Sequence, residues 1–161
     1  MKEISEQEAL QRLTALCARA EHCAYEMTEK MHRWGIDEAA QARIMAYLTE
    51  HRYVDDERYA RAFVLDKIRY NHWGRRKVEQ ALWQKHIDED IRQRVLGEVD
   101  TRVYADMLRP LLQQKRRTTT ASSPYELQQK LIRFALGRGF DFETIRQCLD
   151  VSEEDLPEEM Q

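Results

Sequence analysis

The densest carboxylate group in the chain is Asp55-Asp56-Glu57. Adjacent acids can trade a proton or hold a divalent cation. A helix start is the simpler account, because capping and the helix dipole both favour acids there. Cys17, His22 and Cys23 offer three zinc-type ligands. A fourth ligand at finger spacing is missing, and Cys17 and Cys23, six apart, fall off a common helix face. Thiols on amphipathic helices are better read as small buried apolar groups. The other histidines, His32, His51, His72 and His86, are scattered. The sequence contains no P-loop, no GxGxxG turn, no HExxH helix and no nucleophile elbow. No enzyme, metal site or cofactor is therefore expected.

The chemistry that remains is ionic recognition. The formal charge of the 161 residues is −3, but it is unevenly spread. Residues 67–85 carry Lys67, Arg69, Arg75, Arg76, Lys77 and Lys85 for a net +5. Residues 109–138 carry Arg109, Lys115, Arg116, Arg117, Lys130, Arg133 and Arg138 for a net +6. Residues 1–60 stand at −4, and residues 152–161 hold Glu153, Glu154, Asp155, Glu158 and Glu159 with no base. Such polarity attracts a polyanion or an acidic protein face. Solvated helix faces rich in Arg are the plainer reading. Trp73 and Trp83 lie in the first basic stretch, as interface anchors or as core residues.

These side chains need a scaffold. Five Gly and three Pro leave little material for the turns of a sandwich or barrel, while 42% hydrophobic and 34% charged residues suit amphipathic helices. One pattern occurs three times: Met27, Met31 and Trp34-Gly35-Ile36-Asp37; Val78, Leu82 and Lys85-His86-Ile87-Asp88; Leu127, Leu131 and Arg138-Gly139-Phe140-Asp141. Apolar residues four apart share a helix face. Gly35 and Gly139 suit a left-handed helix end, and His86 takes that place in the middle copy. The aspartates, spaced 51 and 53 residues apart, can cap the next helix. A period near fifty residues holds three short helices.

The expected fold is all-α: an elongated, curved array of three tandem three-helix repeats over 5–50, 55–97 and 100–150, then an acidic tail over 151–161. Caps at Ser5, Asp37, Asp55, Asp100, Ser123 and Asp141 place helices near 6–20, 24–34 and 37–50, near 56–70, 74–85 and 88–97, and near 101–117, 124–137 and 141–150. The first helix of each repeat presents Leu13, Leu16 and Cys17; Tyr59, Phe63 and Tyr70; or Tyr104, Leu108 and Leu111 to the core. Thr118 to Ser122 reads as a mobile loop or hinge, and residues 152–161 as a frayed tail. The third helices begin with acids, which phosphates would repel, so groove reading in the helix-turn-helix manner is disfavoured. Three cysteines form no disulfide framework, and no apolar run nears 18 residues. A cytoplasmic protein with no membrane span is expected.

The run Asp55-Asp56-Glu57-Arg58-Tyr59-Ala60 resembles the Asp-Asp-x-Arg-aromatic-Ala signature of the RecX family of bacterial recombinase regulators. Gly74, Val78, Leu82 and Ile87 are similar to the spaced apolar pattern that follows it. Lys130-Leu131-Ile132-Arg133-Phe134 and Arg138-Gly139-Phe140 are similar to the family's last repeat. The resemblance covers roughly residues 8–150 and departs at His86, where relatives usually carry Gly. It implies three tandem three-helix repeats and no catalytic residues. It also implies binding to RecA filaments and damping of their ATP hydrolysis, strand exchange and coprotease activity. Asp55 or Asp56 would cap, Tyr59 and Phe63 would pack, and Gly74 would permit a tight helix start. The expectation is a monomer seated in the groove of a RecA–DNA filament. Its contact candidates are Arg69, Trp73, Arg75, Arg76, Lys77, Lys115, Arg116, Arg117, Lys130 and Arg133. A sequence-independent DNA-binding protein acting without RecA, or an adaptor for an unrelated protein, is the alternative.

Overall fold

The structure, a computed structural model, describes residues 4–157. Among them are nine α-helices and no strand: α1 (Glu6–Arg19), α2 (Ala24–Arg33), α3 (Glu38–Glu50), α4 (Asp56–Arg69), α5 (Arg75–Gln84), α6 (Glu89–Gly97), α7 (Thr101–Thr118), α8 (Pro124–Gly137) and α9 (Phe142–Cys148). Every helix lies within two residues of its expected range. No helix is long and apolar enough to cross a membrane.

The caps explain this agreement. Ser5, Asp37, Asp55, Asp100, Ser123 and Asp141 each accept a backbone N–H from the first turn of the helix they precede, at 2.8–3.1 Å. Gly35 (φ +72°), His86 (φ +57°) and Gly139 (φ +93°) take the left-handed conformation that closes α2, α5 and α8. Arg52 and His72 do the same at φ +59° and +55°. Neither carries a glycine-like signal in the sequence.

Contacts group the chain into two compact units, one of Met1–Phe63 with Leu82–Val95 and one of Val64–Ala81 with Leu96–Gln161. The first buries Ala9, Leu13, Met27, Met31, Ile36, Ala40, Ile44, Leu48 and Val54 as one cluster, with Leu16, Cys17 and Trp34 packed against it. The Tyr59 and Phe63 rings meet at 5.8 Å. In the second unit Tyr104, Ala105, Leu108 and Leu112 of α7 are buried, as are Leu131, Ile132 and Ala135 of α8 and Ile145 of α9. Leu112 takes the deep position expected for Leu111, which is half-buried. Tyr70 is no core residue at 70% exposure. The inward stripe of α4 runs Ala60, Val64, Ile68 instead, and a residue two further along points away.

One arrangement recurs in both units. In the first, the start of α2 meets the turn after α5: Cys23 Sγ donates to the Lys85 carbonyl at 3.8 Å, and Tyr25 stacks on His86 at 4.0 Å. The Asp56 carboxylate accepts the Ala24 N–H at 2.8 Å. In the second, the start of α5 meets the turn after α8: Gly74 N–H donates to the Arg138 carbonyl at 2.8 Å, and Arg76 N–H to the Gly139 carbonyl at 2.9 Å. Two backbones cross here with no room for side chains. A Cβ on Gly74 would lie 2.3 Å from the Phe140 nitrogen, and one on Gly139 2.3 Å from Lys77 Cβ. Gly74 therefore serves this crossing, a stricter demand than a tight helix start. Asp55 and Asp56 also divide their work, Asp55 capping α4 and Asp56 reaching α2.

The C-terminal segment departs from the frayed tail expected over 152–161. Val151 and Pro157 are buried, and Glu153–Asp155 forms a 3-10 turn. Glu158 and Glu159 lie outside the described residues. The expected hinge is also tied down: Thr119 Oγ1 donates to the Lys115 carbonyl at 2.6 Å, and Lys130 Nζ to the Thr120 carbonyl at 2.7 Å.

Candidate cationic interface

All ten contact candidates belong to the second unit. Five surround the start of α5. Left-handed His72 turns the chain after α4 and sets Trp73, half-buried, between two ammonium groups. Lys67 Nζ lies 5.1 Å and Lys77 Nζ 4.7 Å from the indole centroid. A cation over an indole face is attracted by the ring quadrupole, so the ring fixes where these charges stand. Arg69 and Arg76 are exposed beside them, and Arg75 is half-buried.

The other five stand on α7 and α8. Lys115, Thr118, Thr119, Thr120, Lys130 and Arg133 line an open groove of about 490 Å³ with Phe134 as its apolar wall. Lys130 and Phe134 on α8 and Arg138 at its C-cap are four apart and form one stripe. Lys115 Nζ and Arg138 Cζ each lie 5.3 Å from the Phe134 centroid. Arg116 and Arg117 are exposed on the last turn of α7. Arg138 joins the two groups. Its carbonyl holds Gly74, its guanidinium covers Phe134, and its Nη1 donates to the Asn71 carbonyl at 3.4 Å.

Six of the arginines stand apart by their lack of ion-pair partners. Among the described residues Arg69, Arg75, Arg76, Arg116, Arg117 and Arg133 enter no ion pair. In the first unit Arg43 pairs with Glu6 at 2.8 Å, Arg58 with Glu21 at 2.7 Å, Lys85 with Glu26 at 3.3 Å and Arg94 with Glu57 at 2.6 Å. Unpaired guanidinium groups are ready to meet carboxylates or phosphates in a bidentate fork. Lys130 is the exception, pairing with Glu126 at 3.1 Å. Hydrogen bonds from Ser122 hydroxyl and N–H, with help from Lys130, hold the Glu126 carboxyl down at about 2.

Lys67, Phe134 and Arg138 complete the surface although none is among the contact candidates. The four-residue spacing of Lys130, Phe134 and Arg138 was the signal that could have found the last two. Trp83 belongs to the first unit and is 63% exposed. Among the described residues no three His, Cys, Asp or Glu stand close enough to hold a metal ion. Burial pushes the Cys23 thiol up to about 11, so it is a protonated core group rather than a ligand.

The profile of the second three-helix domain of RecX matches residues 55–96, and that of the third matches residues 103–149. The regulatory protein RecX of Chlorobaculum tepidum is 32% identical over 149 residues, covering 92% of this chain and 91% of that one. That of Clostridium perfringens strain 13 is 32% identical over 120 residues, covering 73% of this chain. The match spans only 56% of that clostridial protein's length. The crystal structure of RecX from Lactobacillus salivarius superposes with a TM-score of 0.83 at 17% identity, covering 90% of this chain and 94% of that one. At that identity the likeness shows a shared fold.

Proposed function

The chain belongs to the RecX family, and from that footing we propose that it is a non-enzymatic regulator that binds RecA nucleoprotein filaments and damps their activity. The observation that carries this reading is the set of unpaired arginines on the second unit. Among the described residues Arg69, Arg75, Arg76, Arg116, Arg117 and Arg133 have no acid paired with them. The complement of such a surface is a larger anionic body. A filament offers two anionic elements at once, the phosphates of its DNA and acidic protein faces. Trp73, braced by Lys67 and Lys77, is the aromatic anchor within this surface.

The test is RecA-catalysed strand exchange with added protein. Inhibition at ratios well below one protein per RecA subunit, with binding to preformed filaments in a sedimentation assay, is the expected result. Absence of both overturns the reading. The alternative is a sequence-independent DNA-binding protein that acts without RecA, and the same unpaired cations motivate it. In that case affinity for bare DNA is tight and falls steeply with salt. Weak affinity for bare DNA that rises when RecA is present rejects the alternative.

A further inference from the structure

The turn that closes the second helix of a repeat serves twice in this chain as a socket. The turn after α5 holds the start of α2, and the turn after α8 holds the start of α5. The equivalent turn after α2, Trp34-Gly35-Ile36-Asp37, holds no helix start among the described residues. Gly35 is exposed where Gly139 is buried, and a Cβ built on Gly35 meets no atom within 4 Å. The Trp34 and Gly35 carbonyls correspond to those of Arg138 and Gly139, yet accept no hydrogen bond among the described residues. Ile4, Ile36 and Ala40 help to line a recess of about 250 Å³ at this turn.

The two filled sockets show what fits. Gly74, just before α5, and Arg76, its second residue, supply their N–H groups. Cys23 and Tyr25 hold the same two positions at α2 and supply a thiol and a stacked ring. Cys23 and Gly74 each lie four residues before the leading apolar residue of their helix, Met27 or Val78. In α8 that register falls on Ser123 and Tyr125, four and two before Leu127. The capping box lets α8 form without a neighbour, using the Ser122 and Glu126 N–H groups. The N–H groups of Ser123 and Tyr125 are left over, with no partner among the described residues. Pro124, which has no N–H, stands where Arg75 takes no part in the filled junction. The Tyr125 ring is 69% exposed at the position where the Tyr25 ring is stacked. Bare donors at a helix start and bare carbonyls at a helix end also carry opposite partial charge.

We propose that the turn after α2 is a docking site for the α8 start of a second copy of this chain. The Ser123 and Tyr125 N–H groups of one copy meet the Trp34 and Gly35 carbonyls of the other, and the Tyr125 ring covers Gly35. Such a contact is head-to-tail: each copy keeps one free socket and one free plug, so association does not stop at a pair. The patch is small, and interfaces under about 1,200 Å² are transient, so association belongs to concentrations of roughly 100 µM and above. Below them the chain is the expected monomer. A polymer that holds copies side by side raises their effective concentration, a consequence that rests on the functional reading above.

Benzoylphenylalanine in place of Tyr125 keeps an aromatic ring there and couples on irradiation to whatever lies against it. An equal mixture of light and isotopically heavy full chain is irradiated at about 300 µM, above the range set by so small a patch. Mass spectrometry should show residue 125 of one chain joined to the Trp34–Asp37 segment of another. Products confined to single chains, products joined to other segments of a second chain, or no product at all overturn the proposal. Sedimentation equilibrium supplies the second measurement. The mean mass of the unlabelled full chain should rise above that of one chain over the same concentrations. Tyr125→Ala, a change at an exposed side chain, should weaken association at least fivefold and leave the helical signal intact; unchanged association overturns the proposal. Backbone hydrogen bonds and a ring contact should persist in about 0.5 M NaCl, where surface ion pairs are screened. Association lost in that salt belongs to the arginine surface and overturns the proposal. A protein that associates in this way yet leaves RecA strand exchange untouched retains this inference and loses the functional reading.

Discussion

Two glycines separate two kinds of backbone demand. Gly35 has φ +72° with open space around a built Cβ. Gly35→Ala therefore bears only the left-handed penalty and should lower stability by about 1 kcal/mol. Gly74 meets the backbone of Gly139 and Phe140 within 2.5 Å of a built Cβ, and backbone atoms cannot swing aside. Gly74→Ala should lower stability by about 3 kcal/mol or more. Denaturant titration of the two variants gives the comparison, and equal losses would contradict the crossing. Glu126 sets a different expectation. Its folded carboxyl titrates near 2 against an ordinary 4.5, so its stabilising contribution is complete above 4.5 and fades as the pH falls toward 2. Glu126→Gln should flatten the acid-side decline of the denaturation midpoint across that window.

At the scale of helices, Pro110 stands inside α7. It supplies no N–H to the helix ladder, a loss of about 3 kcal/mol in a helix interior. Burial of Tyr104, Ala105, Leu108 and Leu112 outweighs it. Pro110→Ala should therefore raise stability by about 2 kcal/mol, after allowing for a freer unfolded chain. Calorimetry should show a rise in Tm of roughly 4–8 °C. The helices themselves were legible because caps and breakers are local: Ser5, Asp37, Ser123 and Gly139 act within a turn of where they stand in the chain. Arg52 and His72 escaped notice because neighbouring contacts impose their left-handed conformation on ordinary residues. Tyr70 misled because a periodic face says nothing about where a core ends. The docking of Val151 was invisible for a related reason, since Val151 and Leu156, five apart in a short acidic segment, set up no helix or strand period.

For the molecule as a whole, the charge asymmetry was readable from composition along the chain, but which cations are unpaired required tertiary structure. Arg58 and Arg69 look alike in sequence. Arg58 donates to Glu21 and to the Arg52 and Tyr53 carbonyls, whereas Arg69 enters no ion pair among the described residues. Replacing Arg69, Arg76, Arg116, Arg117 and Arg133 by Ala should weaken inhibition of RecA strand exchange at least tenfold and leave Tm within about 2 °C. Arg58→Ala should lower Tm and leave inhibition intact in folded protein. The recurring junction has one more consequence. The second helix of the first two repeats begins on donors satisfied from the repeat that follows: Ala24 by Asp56, Gly74 by Arg138. The corresponding helix of the third repeat, α8, closes its own start with Ser122, Ser123, Pro124 and Glu126. That Ser-Ser-Pro-x-Glu run makes the start of α8 self-sufficient, where α2 and α5 lean on a neighbour for theirs.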